Sequence, residues 1–147
     1  MEDSKNYALL VSVYYSDLLG NLINYLNRVP FKCDVYLSCN NKDDYIIFEK
    51  ESRVHKNIIK IDYPNGGMDI HPFFCQIEAI KESGKTYDYF LKIHTKNKSD
   101  WADSIYESVL PDVNYESLFK NMNEYNVSGS DLYLYNFSNS HANKNLI

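Results

Sequence analysis

The chain lacks the features that would direct it to a nucleic acid, a bilayer or an oxidising compartment. Its 15 basic residues are outnumbered by 20 acidic ones, for a net charge of −5. With no basic patch interleaved with aromatics, nothing draws it to a polyphosphate backbone. No apolar run approaches the roughly 20 residues that span a hydrocarbon core. The opening Met1-Glu-Asp-Ser-Lys-Asn6 is too polar for a secretory leader, so the expected location is the cytosol. The three cysteines show no Cys-x-x-Cys or Cys/His spacing. Cys33 and Cys39 lie on one predicted strand, ~20 Å apart and beyond disulfide reach, and Cys75 falls on a predicted helix. All three are read as reduced, mostly buried thiols without chemistry of their own.

Internal repeats and interdomain linkers are also missing. A chain of 147 residues suits one domain, which at this size buries roughly 70% of the surface its unfolded chain exposes. Tyr7 to Tyr15 is a short apolar, β-branched run. Ser16 or Asp17 then stands as a helix cap, and Leu18, Leu22 and Leu26, with Leu19 and Ile23, recur at helical spacing. Pro30 closes that helix. Cys33–Cys39 predicts a second strand, Tyr45–Ser52 a weaker helix, and Asn57–Tyr63 a third strand. Pro72 suits a first helical turn, Phe73, Phe74, Ile77 and Ile80 share a face, and Gly84 suits a helix stop. A fourth strand is expected over Tyr87–Ile93, helices over 100–110 and 114–125 around Pro111, and a fifth strand over 126–135. Residues 1–135 would form the domain and 136–147 a flexible tail.

Strands alternating with helices imply an α/β fold, a mainly parallel sheet covered by helices on both faces, with ligands at the carboxyl ends of the strands. Two segments lead out of predicted strands toward that edge. Pro64-Asn-Gly-Gly-Met-Asp-Ile-His-Pro-Phe-Phe74 offers Asn65, Gly66 and Gly67, whose backbone can approach a ligand, followed by Asp69 and a helix start that favours an anion. The same residues also suit a plain turn with an acidic helix cap. Tyr87-Asp-Tyr-Phe-Leu-Lys-Ile-His-Thr-Lys96 delivers His94, Thr95 and Lys96 from a strand end. Lys92, His94, Lys96 and Lys98 alternate, a row that a buried strand should not carry. Lys92 can snorkel to an edge, while His94 and Lys96 past the strand end could neutralise phosphate or form a solvated basic turn.

Fourteen tyrosines suggest sugar-stacking platforms, but an AT-rich coding bias would enrich Tyr, Asn, Lys and Ile together. Tyr14 and Tyr15 are retained for their place at the end of the first strand. Asp69, His71 and His94 are chemically plausible divalent-metal ligands, yet His71 beside Pro72 suits an exposed helix start and a lone histidine is usually no ligand. No metal site is assigned. His55 and His141 sit in polar segments as surface residues. Tyr106, Val109 and Leu110 suit either a partner interface or a helix packed on its own sheet.

These motifs resemble the rhamnan synthesis protein F family of glycosyltransferases, whose pattern pairs Asn-x-Gly-Arg-Asp-Ile-x-Pro-Phe with Leu-Lys-x-His-Thr-Lys-Lys-Ser. Here they stand as Asn65-Gly-Gly-Met-Asp-Ile-His-Pro-Phe73 and Leu91-Lys-Ile-His-Thr-Lys-Asn-Lys-Ser99. Val11-Ser-Val-Tyr-Tyr-Ser-Asp-Leu-Leu19 and Trp101 are similar as well, and the resemblance covers about residues 7–110. It implies a glycosyltransferase A-type, Rossmann-like three-layer α/β/α fold and transfer of a sugar, often rhamnose, from a dTDP- or UDP-sugar to a polysaccharide or glycan. Tyr14, Asn65, Gly66, Gly67, Asp69, His94, Thr95 and Lys96 would hold the donor, with Asp69, His94 and Lys96 nearest the chemistry. Where many such enzymes carry an Asp-x-Asp metal motif this chain has His94-Thr95-Lys96, so protein cations are expected to face the leaving diphosphate and a divalent metal is doubtful. Asp88 is at the wrong end of its strand for that role, and Asp100 and Asp103 are spaced for a helix start.

Two departures stand out. Met68 replaces the family's arginine, removing a bidentate donor, and the sequence stops near strand five, short of the usual acceptor half with its catalytic base. A partner chain or a homo-oligomer would then supply the acceptor site. The alternative expectation is a non-catalytic nucleotide-sugar-binding module or a degenerate interaction domain.

Overall fold

The computed structural model describes residues 5–64, 70–97, 99–110 and 115–125. Within them the order is β1 (Tyr7–Val13), a 3-10 turn (Ser16–Leu18), α1 (Leu19–Leu26), β2 (Cys33–Cys39), α2 (Asp43–Glu51), β3 (His55–Lys60), α3 (Ile70–Ser83), β4 (Tyr89–His94), α4 (Ser99–Val109) and α5 (Tyr115–Tyr125). The described strands form one parallel sheet in the order β3-β2-β1-β4. This is the expected α/β, Rossmann-like arrangement. The expected fifth strand and tail lie outside the described residues.

The side-chain alternation of β1 and β2 divides the core in two. Leu9, Val11 and Val13 join Cys33, Val35, Leu37 and Cys39 on the face covered by α1, α2 and α4, through Leu22, Leu26, Phe48, Tyr106 and Leu110. Ala8, Leu10 and Tyr36 face the opposite way, toward Ile80, Phe73 and Ile77 of α3. α1 and α2 share a face because the chain steps β1 to β2 to β3 in one direction, and α3 takes the other because it carries the chain back past β1 to β4, the result of right-handed crossovers. Every residue of β2 is buried, as a central parallel strand requires. Tyr106 and Leu110 are enclosed and Val109 packs on the same cluster, so these three pack on the chain's own sheet.

Element ends differ from the sequence expectation where distant groups take over the backbone. β1 stops at Val13, not Tyr15, because the N–H groups of Tyr14 and Tyr15 both donate to Thr95 Oγ1 at 3.0 Å. β4 begins at Tyr89, not Tyr87, where the Asn6 carbonyl takes the Asp88 N–H at 2.8 Å just before the ladder. β3 is displaced to His55–Lys60 and pairs with β2 through an irregularity between Cys33 and Asp34. α2 starts early, at Asp43, whose N–H donates to Asn41 Oδ1. Ser16 does not cap α1: its hydroxyl donates to Asp44 Oδ2 at 2.7 Å, and no side-chain cap bond is present there. Gly84 ends α3 with φ at 67°, the left-handed conformation a helix stop favours.

Among the described residues no helix is long and apolar enough to cross a membrane. Free Cys33 and Cys39 are buried and Cys75 is half-buried. Burial, then the charge of Asp34, pushes the Cys33 thiol up to about 12, and burial followed by Asp44 raises Cys39. Both are therefore protonated and poor nucleophiles at neutral pH.

Candidate functional site

In an open parallel sheet the ligand crevice lies at the carboxyl ends of the strands where the strand order reverses. With the order β3-β2-β1-β4 that point is between β1 and β4. Ser12 pairs with His94 across the two strands, and the Thr95 N–H donates to the Ser12 carbonyl at 3.1 Å. Tyr14 and Lys96 therefore leave the sheet side by side. The structure brings Tyr14, His94, Thr95 and Lys96, four of the residues picked from the sequence, to one edge. Asn65, Gly66, Gly67 and Asp69 lie outside the described residues. The flanks of that connection are described: the rings of Tyr63 and His71 stand edge to face with centroids 6.2 Å apart.

Each of the four has a distinct setting. Tyr14 is 55% exposed and its ring meets Tyr15 edge-on at 5.0 Å. Thr95 is buried, and its hydroxyl oxygen accepts from both tyrosine amides; in this structure it clamps the exit of β1 to the exit of β4. His94 and Lys96 are half-buried. Tyr106 of α4 anchors their backbone, donating its hydroxyl to the His94 carbonyl at 2.7 Å. Burial, then Asp103, pushes the Tyr106 phenol up to about 12 against a backbone hydrogen bond from Lys96, so this donor keeps its proton across the neutral range.

Lys92, in the same row, is accounted for by the fold. β4 has a single described neighbour, β1, and Lys92 lies out along α3 with its ammonium 5.4 Å from the Phe73 ring centroid. Lys98 lies outside the described residues.

Sequence reasoning missed several groups at the same edge. Tyr63, just past β3, has its phenol raised by burial and then by Cys39 and Tyr14; its position between a strand and Pro64 was the available signal. Asp44 is almost wholly enclosed. Ser16 holds one of its carboxylate oxygens, and Oδ1 is buried with no hydrogen-bond partner. Gln76 of α3 is completely buried beneath the helix, against Ser12 and Ser38. No pattern of apolar residues points to either.

The opposite end of the sheet is organised differently. Asp34, at the start of β2, accepts from Asn57 Nδ2 at 2.6 Å, from Lys85 Nζ at 2.8 Å and from Tyr87 Oη at 2.9 Å. Burial works to raise its carboxyl, but these hydrogen bonds and the Lys85 charge outweigh it and hold the group below the usual carboxylate range. Asp88 sits at this end too, accepting from the Asn6 N–H, as its place in the sequence predicts. An apolar cavity of about 80 Å³ lies here, lined by Tyr7, Phe31, Tyr89, Leu118, Phe119 and Met122 among others. It offers few polar groups to orient a charged ligand, so the candidate site is the carboxyl edge. Among the described residues no three of His, Cys, Asp and Glu converge as a metal cradle; Asp69, one of the trio weighed from the sequence, is not described.

Compared with known proteins, the family model described as rhamnan synthesis protein F matches residues 1–124. No curated protein and no solved structure matches the chain.

Proposed function

Because the chain belongs to the rhamnan synthesis protein F family, we propose that it is a glycosyltransferase, or the donor-binding half of one, acting in the synthesis of a rhamnose-containing or related polysaccharide. The observation that carries this reading is the placement of His94 and Lys96 together at the carboxyl end of β4, beside the exit of β1. That crevice is where an open α/β sheet takes a nucleotide.

The donor is a dTDP- or UDP-sugar and the acceptor a glycan hydroxyl. The bond from the anomeric carbon to the diphosphate oxygen breaks, its electron pair leaving with the nucleoside diphosphate. The acceptor oxygen bonds to that carbon and its proton passes to a base of the acceptor half, which this chain's described residues do not supply. Negative charge grows on the leaving oxygen, and Lys96, with His94 when protonated, stabilises it from the end of a rigid strand. Tyr14 offers an exposed ring to the nucleobase or sugar. Thr95 holds the two strand exits at a fixed separation. On sequence position alone, Asn65, Gly66, Gly67 and Asp69 contact the donor sugar and phosphates.

A second reading is favoured by one observation: Met68 stands where the family pattern carries arginine. With that phosphate contact gone, the chain would bind a nucleotide sugar without transferring it.

Calorimetric titration with nucleoside diphosphates, dTDP-rhamnose and UDP-hexoses, with and without manganese, tests donor binding. Wild-type protein is expected to bind one class of nucleotide without added metal. Lys96→Ala should lose affinity by about 10- to 100-fold, the effect of removing one charge-assisted hydrogen bond. No binding across the panel overturns the proposal. Donor binding without release of nucleoside diphosphate in the presence of glycan acceptors selects the second reading.

A further inference from the structure

Gln76 is the one residue of α3 whose fully buried side chain is polar among the described residues. Its amide nitrogen lies 2.8 Å from the Val11 carbonyl oxygen, 3.1 Å from the Tyr36 carbonyl oxygen, 3.1 Å from Ser38 Oγ and 3.4 Å from Ser12 Oγ. An amide nitrogen has only two protons. Carbonyl oxygens can only accept, so these protons go to Val11 on β1 and Tyr36 on β2. Reversing the amide would press its oxygen against both carbonyls, which fixes its orientation. The amide oxygen is then left buried without a hydrogen-bond partner.

A buried acceptor in that state costs stability; methionine would fill the same space without that acceptor, at the loss of the amide's contacts to Val11, Tyr36, Ser12 and Ser38. The amide supplies directionality that methionine cannot. The contacts that Phe73, Ile77 and Ile80 of α3 make with the core beneath it are apolar and tolerate sliding along the sheet. Two hydrogen bonds to neighbouring strands tolerate one axial position only. Val11 precedes Ser12, the residue that pairs with His94, so the amide grips the sheet one residue from the level at which β4 ends.

We propose that Gln76 is a positioning residue: its amide locks the axial register of α3 on β1 and β2, and thereby sets where the first turn of the helix, with His71, stands at the carboxyl edge. The consequence for a ligand rests on the donor-binding reading above; the register itself does not.

Gln76→Met separates the two. Amide hydrogen exchange is followed over residues 70–77, with residues 19–26 of α1 as internal reference, alongside thermal unfolding and titration with the nucleoside diphosphate that wild type binds. The expected result is exchange faster by about tenfold in the first two turns of α3, unchanged exchange in α1, a cooperative thermal transition showing that the variant is folded, and nucleotide affinity lower by about tenfold. Unchanged exchange in α3 of the folded variant overturns the proposal, and so does acceleration spread equally over α1. Wild-type protein that binds no nucleotide, with α3 exchange still accelerated in the variant, overturns the donor-binding reading and leaves the register lock standing. Gln76→Leu is the second variant should the first not fold; failure of both to fold assigns Gln76 to overall stability and overturns positioning.

Discussion

Asp34 and Asp44 sit at opposite ends of the same sheet and are treated in opposite ways. Asp34, at the amino end, is enclosed by three donors on β3, on the chain entering β4 and on the turn after α3. Asp44, at the carboxyl end, is more deeply buried, at 1% exposure against 9%. It has the Ser16 hydroxyl on one oxygen and nothing on the other. Burying a carboxylate is tolerable when its lone pairs are satisfied and costly when they are not. The amino end therefore holds the sheet together, and the carboxyl end carries polar groups whose arrangement does not serve stability first. The same edge bears Tyr14, His94 and Lys96.

Substitutions at the amino end should lower stability without touching binding. The largest effect is expected for Phe119→Ala. Its ring stacks on Tyr89 with centroids at 4.4 Å and on Tyr7 at 5.5 Å, and truncating it should cost about 3 kcal/mol in chemical denaturation. Nucleotide affinity should be unchanged; a comparable loss of affinity would break the distinction between the two ends.

Asp34→Asn comes next, at about 2 kcal/mol, because it leaves Lys85 and Tyr87 facing a neutral group. The sign of its pH dependence follows from the lowered carboxyl. Stability from a depressed acid is fully present above the unfolded value of about 3.9 and is lost as pH falls through the lower folded value. The gap between wild type and Asp34→Asn should thus be constant from about pH 5 to 7 and close below about pH 4. A gap that persists at pH 2 would show that charge is not its source.

The smallest effect is expected for Asp44→Asn, which keeps an acceptor for Ser16 and alters an oxygen that has no hydrogen-bond partner. Stability should stay level or rise by about 1 kcal/mol. A loss as large as that of Asp34→Asn would erase the contrast between the two ends of the sheet.

Most of the fold was legible because it depends on local patterns. Cys33–Cys39 is an unbroken buried strand, and its limits are those the sequence predicts. The helical spacing of Leu19, Leu22, Ile23 and Leu26 marks the buried face of α1. Strand ends were less legible, since they are decided by residues about 80 positions away: the Thr95 hydroxyl ends β1, and the Asn6 carbonyl takes the Asp88 N–H just before β4. The carboxyl-edge location of His94, Thr95 and Lys96 was visible from a strand running into polar residues, but the clamp made by Thr95 was not. Gln76 and Asp44 were hidden for a related reason. Pattern reading places polar side chains outside, and only the stacking of a helix on a sheet reveals the polar side chain that is enclosed.

Cys75 adjoins Gln76 on α3 and is half-buried, whereas Cys33 and Cys39 are buried with thiols pushed far up. The native chain thus carries a single readily labelled sulfur, placed on the helix whose position matters most for the carboxyl edge. A fluorophore or spin label attached there gives a spectroscopic handle on α3 without any cysteine having to be engineered in or out.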